Sequence, residues 1–220
     1  MKILYILASI AMLIKILVMP NSMAELSEMS IVEMVVEDTG VPNAVSGIIF
    51  RNRLYDTIFE VIVFTIAILG VGFLFSNEQA TTVVYQFTDQ PSVVLARLGA
   101  TITAIITIEL SIRGHLSPGG GFAAGVAGGT AIGLIAITSS SELMEKIYKR
   151  FSAATLEKLS VILFILVAIA SLSGLELPHG NLGDLISGGM IPILNIIVAL
   201  KVALGSWAVM LLFIRYRGLF

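Results

Sequence analysis

The chain has 220 residues, 57% of them hydrophobic and 13% charged, with a mean hydropathy of +0.99. That is too apolar for an ordinary soluble domain, in which roughly 25% of residues are charged. A formal net charge of −2 with no basic stripe excludes a nucleic-acid surface, and the lack of cysteine excludes a structural disulfide, a thiolate iron–sulfur cluster and covalent c-type haem.

The composition predicts an all-α polytopic membrane protein, because only helices satisfy every backbone group internally where water is absent. Spanning about 30 Å of hydrocarbon takes roughly 20 apolar residues. Six runs qualify, at residues 3–19, 57–75, 91–112, 120–138, 156–174 and 189–216.

The first run, with Lys2 before it and small residues at Ser22 and Ala24, can also be read as a cleaved signal peptide. Lys15 interrupts that run and no A-x-A site follows, which favours a retained span. An acidic segment follows, with Glu25, Glu28, Glu33, Glu37 and Asp38. Gly40 and Pro42 then mark a turn, and the stretch NAVSGIIFRNRLYDTIFE reads as an interfacial helix or loop entering the second span. Asp56 and Glu60 are four apart and share a helix face. They are either headgroup-level carboxylates near a positive helix start or candidates for an ion path.

Near residues 76–90 the chain divides into an expected two-helix module, 1–80, and a four-helix module, 81–220. In the third run, Glu109 precedes Arg113 by four residues, the favourable order for a helical salt bridge. A role for Glu109 in proton relay is the alternative. Arg97 and Lys15 lie near enough to span ends to snorkel.

The stretch RGHLSPGGGFAAG, residues 113–125, is the most irregular in the chain. It lacks the Gly-Lys-Ser/Thr ending of a phosphate loop and no strand precedes it, so nucleotide binding is disfavoured. A tight re-entry fits better. Pro118 stops one helix, Gly119, Gly120 and Gly121 permit positive φ, and Ser117 is expected to cap the next. Gly121, Gly125, Gly129 and Gly133 recur every fourth residue, a smooth stripe that lets a neighbouring backbone approach. His115 sits at this turn, either as a helix-ending surface histidine or as a proton-passing group.

Lys201 lies near the middle of the last run, too deep to snorkel to either surface. An ammonium there costs roughly 2.5–3.5 kcal/mol on insertion scales, so it needs protein or water and a partner. It is either an ion-path lysine or half of a buried structural pair. His115 and His179 lie in separate loops without ligand spacing, so no metal site is expected, and membrane hydrolase motifs are absent. Lys2, Lys146, Lys149, Arg150, Lys158, Arg215 and Arg217 gather at one set of span ends, against Arg51, Arg53 and Arg113 at the other. The positive-inside rule therefore predicts cytoplasmic termini.

Two stretches carry a family resemblance. GHLSPGGGFAAGV resembles the GHLSPGGGFQGGV signature of the MnhB/MrpB subunits of multisubunit sodium/proton antiporters, with Ala123 in place of the usual glutamine. GGMIPILNIIVALKVALG is similar to their last helix. GVPNAVSGIIFRNRLYDTIFE resembles the module corresponding to the C-terminal end of the large MrpA chain, matching at Asn43, Arg53, Asp56, Thr57 and Glu60 and departing at Asn52, Leu54 and Tyr55. A fusion of the two looks like the antiporter-like arm of archaeal membrane-bound hydrogenases, formate hydrogenlyases and sulfane reductases.

The resemblance implies a non-catalytic, multi-pass subunit of the plasma membrane. It would work among other Mrp-like subunits and lipids, contributing to Na+ and H+ movement. It further implies a peripheral redox module whose iron–sulfur or nickel–iron centres lie in partner chains, this chain holding none. By position, Glu60 and Lys201 become ion-path candidates. Two alternatives stay open: a scaffold that joins antiporter-like subunits without conducting ions, and a subunit of a plain Mrp exchanger. A stand-alone transporter is disfavoured, because no paired broken helices in repeated halves are visible.

Overall fold

The computed structural model describes residues 30–81 and 84–218, together with Ile10 and Ile14. The chain forms two compact units, Met1–Ile31 and Val32–Phe220. In the first unit Ile10 and Ile14 are helical. The remainder of the 3–19 run, with Lys2, Lys15, Glu25 and Glu28, lies outside the described residues.

The second unit is all-helical among its described residues. After α1 (Ile31–Thr39), Gly40 adopts φ +67° and the chain turns. Asn43 then caps α2 (Ala44–Gly47), accepting from the Ser46 amide at 3.3 Å. The backbone winds on through a π-helical turn, Ile48–Asn52, a rare geometry enriched at functional sites. The Thr57 hydroxyl, in the first turn of α3 (Leu54–Leu74), donates to the Ile49 carbonyl at 2.8 Å and ties the irregular entry to the span.

Asp89 caps α4 (Gln90–Arg113) by accepting from the Ser92 amide at 3.0 Å, and Pro91 occupies the first turn, where a missing N–H costs nothing. α5 (Gly120–Ala136) has 17 residues, at the lower edge of spanning length. α6 (Ser141–Arg150) is capped by Ser140, and α7 (Ala153–Leu172) and α8 (Ile191–Arg217) complete the bundle.

α3, α4, α7 and α8 are each long and apolar enough to cross a membrane. The sequence places the helices of all five later runs to within a few residues, four of them long enough to count as spans and α5 shorter. It leaves 139–155 between spans with no element assigned, whereas a ten-residue amphipathic helix fills most of it. α6 is too short and too charged to register as a span.

α8, about 40 Å long, is the axis of the bundle and packs against α3, α4, α5, α6 and α7. Two apolar cores share it. One gathers Phe50, Leu54, Val61 and Phe164 around Leu194, Val198 and Val202, and the other gathers Ala136, Met144 and Ala153 around Leu204, Trp207 and Ile214.

Backbone bonds define the bundle's two ends. At one, Thr81 donates to the Arg215 carbonyl and Phe87 to that of Ile137. At the other, Asn43 donates to the His115 carbonyl and Gly188 to that of His179.

Candidate functional site

Lys201 sits at the centre of the axis and is 1% exposed. Its ammonium pairs with the Glu157 carboxylate of α7, which is 8% exposed, and it lies 5.3 Å from the Phe64 ring centroid of α3. The carboxylate supplies the counter-charge and the ring face an electron-rich wall. The sequence reading missed Glu157 as this partner. Its only signal was a carboxylate just inside a span, four residues after the start of α7.

A cavity of about 250 Å³ adjoins Lys201. Thr57, Glu60 and Phe64 line one wall, Val198, Lys201 and Val202 another, and Asn43, Ser46 and the turn at 118–122 close the end. The structure therefore brings Glu60 and Lys201, 141 positions apart by number, into one chamber. Glu60 is exposed and has no hydrogen bond or ion pair with another described residue.

The glycine-rich turn is held from two sides. The Gly114 carbonyl accepts from Asn43 Nδ2 at 2.8 Å and Ser46 Oγ at 3.1 Å, and the Ser117 carbonyl accepts from Asn43 Nδ2 at 2.8 Å. Asn195 of α8, fully buried, accepts the Gly121 amide at 2.7 Å and donates to Ser46 Oγ at 3.3 Å.

Ser117 does not cap α5. Its hydroxyl donates back to the Arg113 carbonyl at 3.2 Å, and Gly119 takes the cap position with no side chain to offer. The reason is the path of the chain. Gly119 at φ +130° and Gly120 at φ +67° swing the backbone away from Ser117, and Asn195 satisfies the amide that Ser117 would have reached.

The glycine stripe faces α8. A Cβ on Gly121 would run into the Asn195 backbone, on Gly125 into Val202 and to 2.8 Å of the Ala199 carbonyl oxygen, on Gly129 to 2.7 Å of Ser206 Cβ, and on Gly133 to 2.9 Å of Met210 Sδ. One row of α5 thus seats one row of α8 inside the same chain, which leaves it no surface for a different subunit.

The other expected site residues lie apart from the chamber. Asp56 accepts from Arg53 Nε at 2.7 Å and Glu109 from Arg113 at 3.1 Å, both on exposed faces. His115 is not a surface residue. It is fully buried, and burial lowers its pKa below the usual histidine value, opposed by the backbone carbonyls of Asp184 and Leu185. Nearby, Arg51 pairs with Glu176, whose other oxygen is 3.5 Å from His179 Nε2. Among the described residues no group of three or more histidine, aspartate or glutamate side chains could hold a metal ion.

Fold and site together define a polytopic helical membrane protein with a charged pair buried beside an open cavity. Residues 91–208 match the family described as "Domain related to MnhB subunit of Na+/H+ antiporter", and the chain belongs to that family.

An uncharacterized protein of Methanocaldococcus jannaschii is 29% identical in an alignment that covers 75% of this chain and 74% of that one. The fold is shared with a chain of the membrane-bound sulfane sulfur reductase, an archaeal respiratory membrane complex, at TM-score 0.67 and 24% identity over 97% of this chain and 98% of that one. It is also shared with a chain of the Mrp complex from Dietzia sp. DQ12-45-1b, at TM-score 0.63 and 23% identity over 99% of this chain and 25% of that one.

Proposed function

We propose that this chain is a membrane subunit of a Mrp-type cation/proton antiporter module within a redox-driven respiratory complex of the hydrogenase or sulfane reductase kind, and that it contributes to Na+/H+ translocation. It is not itself catalytic; redox centres belong to partner subunits. The observation that carries the reading is the chamber lined by both the Glu60 carboxylate and Lys201, whose ammonium pairs with Glu157 behind it.

The chemistry follows from charge balance in a low-dielectric site. With Glu157 ionised, the Lys201 ammonium is neutralised and Glu60 is free to hold a proton or an alkali cation. Protonation of Glu157 leaves the ammonium without a counter-charge, and it then draws on Glu60 across the chamber, which weakens cation binding there. Proton occupancy at one carboxylate therefore disfavours cation occupancy at the other, the coupling an exchanger uses.

The likeness to a chain of a respiratory complex supports the redox setting, and the family supports companion Mrp-like subunits. We also read residues 1–80 and 81–220 as two fused modules, with Lys146, Lys149, Arg150, Arg215 and Arg217 marking the cytoplasmic ends.

The competing reading is a scaffold in which Lys201 and Glu157 only clamp α8 to α7. The pair's full burial favours that reading, and one set of variants separates the two. Lys201→Met strands a buried carboxylate, a defect that typically costs about 3–5 kcal/mol, whereas Glu157→Gln/Lys201→Met leaves no charge stranded. The doubly substituted protein should assemble normally yet lose sodium-dependent proton movement in inverted vesicles. Normal coupling in an intact double variant would reject the ion-path role and leave the scaffold.

A further inference from the structure

A second cavity, of about 390 Å³, lies at the opposite end of the bundle from the glycine turn, between α6, the last turns of α8 and the α3–α4 connection. The chamber chemistry does not use it. We propose that it binds an anionic membrane lipid, with the headgroup phosphate against Lys149 and Arg215 and an acyl chain along Leu211 and Leu212.

Charge is the first argument. Lys149 Nζ is 2.7 Å from Glu145 Oε1, and Arg215 Nη1 is 3.8 Å from the same oxygen. One carboxylate between two cations leaves a unit of positive charge unmatched, and both cations are largely exposed, at 74% and 58%. The Lys149 hydrogen bond, the largest influence, holds Glu145 below the usual carboxylate pKa, so this count holds at neutral pH. Tyr148 adds a phenol on the same wall, its ring edge-on to Trp207 at 5.1 Å.

The order of polarity along α8 is the second. Arg215 lies one turn beyond Leu211 and Leu212, and Ala208 lies one turn further in, so the lining passes from charge to hydrocarbon over about 10 Å. A phospholipid has that gradient. A free phosphate or a nucleotide would match the polar end alone. Basic pockets between spans at a membrane face are suited to anionic headgroups.

The test uses the tagged full-length chain, purified in mild detergent with whatever subunits accompany it and washed free of loose lipid. It is titrated with fluorescent phosphatidylglycerol and with phosphatidylcholine. Phosphatidylglycerol should bind preferentially, and Lys149→Gln/Arg215→Gln should weaken it at least tenfold. Lys158→Gln/Arg150→Gln removes the same net charge outside the cavity lining and should leave binding unchanged. Equal loss in both variants would mean diffuse charge attraction and overturn the proposal, as would equal affinity for the zwitterionic lipid. Displacement of bound lipid by millimolar inorganic phosphate would assign the cavity to free phosphate instead.

Discussion

Lys201 is legible in sequence as an ammonium too deep to reach water, but its partner is not. Glu157 stands near the start of its own span, where a carboxylate ordinarily faces headgroups, and only packing of α7 on α8 turns it inward. His115 shows the converse. A histidine beside a glycine-rich turn looks solvent-facing, yet the loop bearing Asp184 and Leu185 covers it completely. Arg113, Asp184, Glu176 and His179 are the charged or titratable groups of the segments around it. Because burial depresses the folded-state pKa of His115, the unfolded chain binds the proton more tightly and stability rises with pH. Stability is therefore lost as pH falls through the unfolded histidine value of about 6.5. His115→Phe should flatten the fall in thermal midpoint between pH 7.5 and 5; an unchanged slope would show that other groups set the acid sensitivity.

Among elements, α5 and α8 approach closely along the stripe, and glycine makes it so. Substituting Gly125→Ala drives a methyl group into Val202 and the Ala199 carbonyl, so the helices must separate; overpacking of this kind costs about 1–3 kcal/mol. Gly70 of α3 is the natural control, since a Cβ there meets nothing within 4 Å. Replacing it with alanine should stabilise by up to about 1 kcal/mol through helix propensity. Thermal melts in detergent should therefore move in opposite directions for the two substitutions, and a neutral Gly125→Ala would mean that the interface can yield. The stripe itself was readable from its four-residue repeat. Its neighbour was not, because any helix with a complementary row satisfies the same pattern.

At the scale of the molecule, charge sorts the two ends. Lys146, Lys149, Arg150, Arg215 and Arg217 lie at the end where Thr81 meets Arg215, and Arg51 and Arg113 lie at the other, with Asn43 and His115. The cysteine-free sequence makes orientation directly measurable with single-cysteine variants. In intact cells a membrane-impermeant maleimide should label Asn181→Cys and spare Asn77→Cys until the membrane is opened; the reverse pattern would invert the assigned topology.

The sequence by itself determined the class, the five later apolar helices and the position of the glycine turn, because hydrocarbon thickness sets helix length and backbone geometry calls for glycine. Tertiary structure alone decided that Glu157 and Phe64 meet Lys201, that Asn195 rather than Ser117 satisfies the Gly121 amide, and that Glu60 shares a chamber with Lys201. Those pairings depend on which helices are neighbours and how each is rotated about its axis. Hydrophobic length carries no information on either, since side chains on every face of a spanning helix are nearly equally apolar.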